Sequence, residues 1–111
     1  MQIFSDNTAL NTARAFVREN ILKKAELDNA LKINEQCIEQ FPDTVFYLGL
    51  KASILGHLNR AIESNKYLKQ YLNLRPNLKT RSDYKKMFIP NSVLADTIID
   101  GLIKAGWKPE D

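Results

Sequence analysis

From Val45 to Glu63 the chain sets apolar residues at helical spacing on both sides of Gly56, with Val45, Leu48 and Ala52 before it and Leu58, Ala61 and Ile62 after it. This period predicts two helices that reverse direction at Gly56, since glycine punctuates an otherwise helical pattern. Gly49 and Ala61 are small enough to let the two axes come close. A hairpin of this kind cannot bury its apolar faces alone, so the rest of the chain must supply the covering surfaces. With 111 residues, 44% of them hydrophobic and 26% charged, the length suits one globular domain with a single core.

Read in order, Ser5 to Thr8 offers N-cap candidates ahead of Leu10, Ala13, Phe16, Val17 and Ile21, and predicts a helix from about Thr8 to Lys24. Ala25 to Asp28 reads as a turn. A second helix is expected from about Asn29 to Gln40, closed by Pro42, which cannot continue the backbone ladder. Asp43 is the expected N-cap of a third helix, Thr44 to Leu55, and a fourth runs from about Leu58 to Leu74 before Pro76. Thr80-Arg81-Ser82-Asp83 has the form of a capping box for a short helix from Arg81 to Met87. Pro90-Asn91-Ser92 opens a last helix with Leu94, Ala95, Ile98, Ile99, Leu102 and Ala105 on one face, and Gly106 is placed to end it in the left-handed conformation, with Trp107 folding back onto Leu102.

Pro42 and Pro76 lie 34 residues apart, each after a helix-turn-helix of similar size, which is the mark of an internal repeat. Val45-x2-Leu48-Gly49-x2-Ala52 with Ala61 and Pro76, preceded by Arg14-x2-Val17-Arg18-x2-Ile21 with Ala30 and Pro42, resembles the tetratricopeptide repeat family, over roughly residues 9 to 77. The chain departs from that pattern at Arg18, at Asn34 and Asn65 where the repeat has Phe, and in a spacing from Ala61 to Pro76 that is three residues longer. Either the fourth helix is nearly a turn longer or the register is slipped by three; the Leu-Gly and Ala61 anchors favour the longer helix. The ending Asp100-Gly101-Leu102-Ile103-Lys104-Ala105-Gly106-Trp107-Lys108-Pro109-Glu110 is similar to the segment that follows such repeats in repeat-bearing bacterial adenylate cyclases and in some membrane-anchored transcriptional regulators. The resemblance implies a bacterial origin and an all-α fold, a short solenoid of two helical hairpins (9–44 and 45–77) with a C-terminal helical cap (78–111). It carries over no activity.

Glycine-rich phosphate loops, a P-loop, H-E-x-x-H and paired C-x2-C are absent from the sequence, so no cofactor, metal site or catalytic residue is expected. His57, beside Gly56 in the expected turn, reads as an exposed turn residue. Cys37 reads as a small buried thiol and cannot form an internal disulfide. Asp96 and Asp100 share a helix face but have no His or Cys near them in the sequence. No apolar run approaches the roughly 18 to 20 residues that span a bilayer, and Met1 to Leu10 lacks the layout of a signal peptide. The expected setting is cytoplasmic.

What remains is surface. By the repeat resemblance, Phe16, Glu19, Lys23, Phe46, Tyr47, Leu50 and Ile54 line a groove for a protein or peptide partner, unless the last helix lies across it and makes Phe46 and Tyr47 core. Lys66, Lys69, Arg75, Lys79, Arg81, Lys85 and Lys86 face only Asp83 between residues 66 and 86, whereas residues 1–44 carry five basic and seven acidic side chains. The basic patch Lys66, Lys69, Lys79, Arg81, Lys85 and Lys86 reads as a solvated face or as a site for an acidic protein; with a net charge of only +3, nucleic acid is the weaker reading. The expectation is therefore a non-catalytic interaction module, with self-association as one way to cover its exposed ends and with no membrane and no small-molecule substrate. The alternatives are a regulatory C-terminal piece of a signalling or transcription system and a weak nucleic-acid binder.

Overall fold

A computed structural model of the chain describes residues 24–87 and 92–111, and among the described residues all regular structure is helical: α1 (Lys24–Gln40), α2 (Val45–His57), α3 (Ala61–Leu74), α4 (Arg81–Lys85) and α5 (Ser92–Ala105). Residues 1–23, and with them all but the last residue of the helix expected from Thr8 to Lys24, the first-copy residues Arg14, Val17, Arg18 and Ile21, and the groove residues Phe16, Glu19 and Lys23, lie outside the described residues.

Helix α1 runs through Ala25 to Asp28, where the sequence suggested a turn. The reason is that Leu27 joins Ala30, Leu31, Asn34 and Cys37 on one buried stripe, and Ala, Glu and Leu are strong helix formers with no Gly or Pro among them to break the run. Pro42 ends this helix as expected, after Phe41 N–H closes the last turn on Cys37 O at 2.8 Å. The N-cap of α2 is Thr44 rather than Asp43.

Helix α2 does not stop at Gly56. It continues to His57, and the reversal is made by Leu58 to Arg60, with Asn59 in the left-handed region at φ 61°, a conformation that asparagine tolerates better than most residues. Ala61 is exposed and does not provide the close approach expected of it. Gly49 does so against a different neighbour, the Tyr71 ring, which would lie 2.7 Å from a Cβ at position 49. On α3, Leu68 and Tyr71 face inward, whereas Ile62, on the apolar side of the expected hairpin, is 89% exposed.

The capping box of α4 is present: Asp83 N–H donates to Thr80 Oγ1 at 3.0 Å, and Thr80 N–H donates back to Asp83 Oδ2 at 2.9 Å. The Asp111 carboxylate accepts from Arg81 N–H at 2.8 Å, so the first turn of α4 is also tied down by the far end of the chain. At the end of α5, Gly106 takes φ 119°, its N–H donates to Ile103 O, and Trp107 N–H donates to Leu102 O. This pair of bonds is a Schellman closure, and it turns Trp107 back into the core.

Helix α2 is the hub. It packs against α1, α3 and α5, and α5 also touches α3 and α4. The α2–α5 crossing is the tightest: a Cβ on Gly56 would run into Gly101 O, and one on Gly101 would run into the Ser53 hydroxyl and carbonyl. With side chains removed at the crossing, Ser53 Oγ reaches Ile98 O at 2.8 Å and donates to it. The α5 helix therefore lies across α2, as the sequence left open.

Candidate interaction surface

The residues expected to form a groove are placed differently. Tyr47, Leu50 and Ile54 are fully buried, and Phe46 is half-buried, edge-on to the Tyr47 ring at 5.8 Å. These four side chains belong to the α2 core and do not form an open binding face. The physical reason is the burial of α2 from three sides, by α1, α3 and α5.

Two further positions that the sequence marked as losses turn out to be inter-helix ties. Asn34 Nδ2 donates to Tyr47 O on α2 at 3.0 Å, and Asn65 Nδ2 donates to Ala105 O at the end of α5 at 3.1 Å. A terminal helix carbonyl has no partner within its own helix, so Asn65 supplies one that phenylalanine could not.

His57 is not a turn residue. It sits near the end of α2, half-buried, with Nε2 donating to Thr97 O at 3.0 Å. Burial lowers its pKa below the usual histidine value, Lys104 adds to the lowering, and the Thr97 carbonyl and Asp100 oppose it. The folded state thus favours neutral imidazole, and the unfolded chain takes up the proton first as pH falls. Stability from this site is complete above about pH 6.5 and is lost as pH drops below that value. His57→Gln keeps a donor for Thr97 O and removes the titration, so urea midpoints of wild type and variant are expected to converge or cross as pH is lowered from 8 to 5. Parallel pH profiles would count against this account.

The basic stretch does not act as one patch. Lys85 pairs with Asp96 on α5 at 3.1 Å, Lys86 lies 4.0 Å from Asp83, and Lys66 leans over the Tyr67 ring at 5.3 Å on α3. Lys69 is exposed on the same helix. Lys79 lies in the turn into α4 and Arg81 is that helix's first residue; with Arg75 they have no carboxylate within 4.0 Å among the described residues, although the Arg81 charge is near enough to Asp111 to help lower its pKa.

Arg75 borders a feature that the sequence did not reveal, an open groove of about 390 Å³ between the end of α3 and α4, lined by Leu74, Arg75, Pro76, Asn77, Leu78, Asp83 and Met87. Leu74 is 56% exposed and Met87 45%. Arg75 caps α3 and lies within reach of the Tyr71 hydroxyl, whose pKa burial pushes up to about 12 against the pull of the guanidinium. Asp83 also lines the groove, but its Oδ2 accepts from the N–H groups of Lys79 and Thr80, which with the Thr80 hydroxyl hold its pKa below the ordinary carboxylate value. The only sequence signal for this site was the pair Leu74 and Met87, apolar residues at the margins of helices on either side of Pro76.

Among the described residues no group of His, Cys, Asp and Glu is arranged to hold a metal ion, and no helix is long and apolar enough to cross a membrane. No family model matches the chain, and no curated protein or solved structure is significantly similar to it.

Proposed function

We propose that the chain is a helical interaction module, a non-catalytic scaffold with tetratricopeptide-like hairpins that binds another protein. The observation that carries this reading is the groove between α3 and α4, where Leu74 and Met87, two exposed large apolar side chains, line one depression. Apolar surface that is gathered in a concave site, and not scattered singly, marks a place of contact. The supporting scaffold is well fixed, with α4 capped from both the Thr80–Asp83 box and Asp111.

The test is retention of a partner by the whole immobilised chain, followed by reconstitution from purified components. A reproducible one-to-one complex at about micromolar affinity supports the reading. Failure to retain any protein that can be reconstituted, under conditions where circular dichroism shows the bait folded, rejects it.

A further inference from the structure

Helix α4 is too short to hold itself together. Its 5 residues fall well below the length at which an isolated helix persists in water, and among the described helices it packs against α5 only. Tyr84 is its one buried side chain. The Lys85–Asp96 pair that joins it to α5 is exposed on both sides, where an ion pair adds little. Much of what keeps α4 in place must therefore act on its first turn. The Thr80–Asp83 box satisfies the Asp83 N–H and returns a bond to Thr80, which leaves the N–H groups of Arg81 and Ser82 with no acceptor inside the helix. Asp111 accepts from both, at 2.8 and 3.4 Å. In the same crossing the Glu110 N–H donates to Lys79 O at 2.8 Å.

Residues 107–111 deliver these bonds from the end of α5. Trp107 is buried at one end, its N–H held by Leu102 O, and Pro109 fixes one of its own backbone angles and restricts the conformation of Lys108. The link is thus short, anchored and stiff. It bears on the α3–α4 groove because Asp83 and Met87 of the α4 segment line that groove, while no residue of 107–111 does.

Resting on the reading of this groove as the contact surface, we propose that residues 107–111 are a strap that holds the α4 wall of the groove in place. With the strap docked, α4 lies against α5 and the groove is complete. With the Asp111 bonds gone, α4 opens as a local unit and the groove loses Asp83 and Met87, while α2, α3 and α5 keep their packing. Segments held by few buried contacts are the ones that open at the lowest free energy. The far end of the chain thereby governs a surface that it does not touch.

Amide exchange followed by NMR on the full chain tests this. In wild type the N–H groups of Tyr84, Lys86 and Met87, which bond to Thr80 O, Ser82 O and Tyr84 O, should exchange faster than those of α2 and α5 and be insensitive to low urea. Asp111→Ala should speed these three amides about fivefold, the effect of losing an ordinary cap, and leave those of α2 and α5 unchanged. Asp111→Asn keeps a carbonyl acceptor and should recover most of the protection. Glu110→Ala keeps the backbone bond to Lys79 O and should behave as wild type. With Thr80→Ala added to Asp111→Ala, the α4 amides should approach the rates of an unstructured peptide, and a partner retained by wild type should be held more weakly in proportion to the fraction of α4 still folded.

Faster exchange confined to Arg81 and Ser82 in Asp111→Ala would make Asp111 a local cap and overturn the proposal. So would equal acceleration of the α4, α2 and α5 amides, since α4 would then not open apart from the rest. Partner retention separates this proposal from the broader one. A partner held equally by wild type and by the double variant leaves the interaction module standing and removes the strap's control of the contact surface. A wild type that retains no partner removes the module, and exchange alone then decides whether the strap holds α4.

Discussion

Gly101→Val is expected to lower stability by about 3 kcal/mol or more, the upper end of what overpacking costs. The added carbons meet the Ser53 hydroxyl and carbonyl and lie close to His57 Cδ2, 2.6 Å from where a Cβ would stand. Part of that obstacle is backbone, so it cannot be relieved by a rotamer change. The movable part, the Ser53 hydroxyl, would give up its bond to Ile98 O if it turned away. Alanine at this site gains about 1 kcal/mol of helix propensity over glycine, yet its Cβ meets the same atoms, and Gly101→Ala should also destabilise. Against a total of about 5–15 kcal/mol for a domain of ordinary stability, the valine variant should unfold at a clearly lower urea concentration. A midpoint close to that of wild type would mean that α2 and α5 are farther apart than described.

Tyr47→Ala is expected to cost about 3–5 kcal/mol, the range for removing a large buried aromatic side chain. The Tyr47 ring is fully buried between Phe41, stacked at 6.5 Å, and Phe46, edge-on at 5.8 Å. An open groove would have predicted the reverse, a variant of near wild-type stability that lost binding. Thermal unfolding followed by circular dichroism decides between them. A fall in the unfolding temperature of less than a few degrees would return Tyr47 to the surface, since about 1 kcal/mol moves the midpoint of a domain this size by roughly 4–8 °C.

The local signals in the sequence were faithful where they depended on short-range chemistry. Proline fixed the ends of α1 and α3, the Thr80–Asp83 box appeared as written, and Gly106 and Trp107 closed α5 as the sequence implied. The misplaced features depended on which helix faces which. Gly56 looks like a turn residue in one dimension because nothing in its neighbourhood announces that Gly101, forty-five positions later, will press against it. Tyr47, Leu50 and Ile54 look like groove residues only if α2 keeps one face open, and periodicity cannot say how many helices will cover it. Asn34 and Asn65 appear as weakened packing positions because their value lies in carbonyls on other helices. The groove between α3 and α4 was hidden for a similar reason: Leu74 and Met87 line one depression only after Pro76 has turned the chain.

The α2–α5 crossing also sets an order of events during synthesis. Ser53, Gly56 and His57 are translated some forty residues before the carbonyls and the glycine that they meet on α5. Until α5 has left the ribosome, a nascent chain can pair α1 with α2 and α2 with α3, while one side of α2 waits open with a buried-type serine and histidine facing water. Closing that side spans most of the described chain, and loop-closure entropy makes such distant pairings the slow part of assembly. Ribosome-stalled chains that end before Ser92 should therefore be more sensitive to protease around residues 50–60 than chains extended past Trp107.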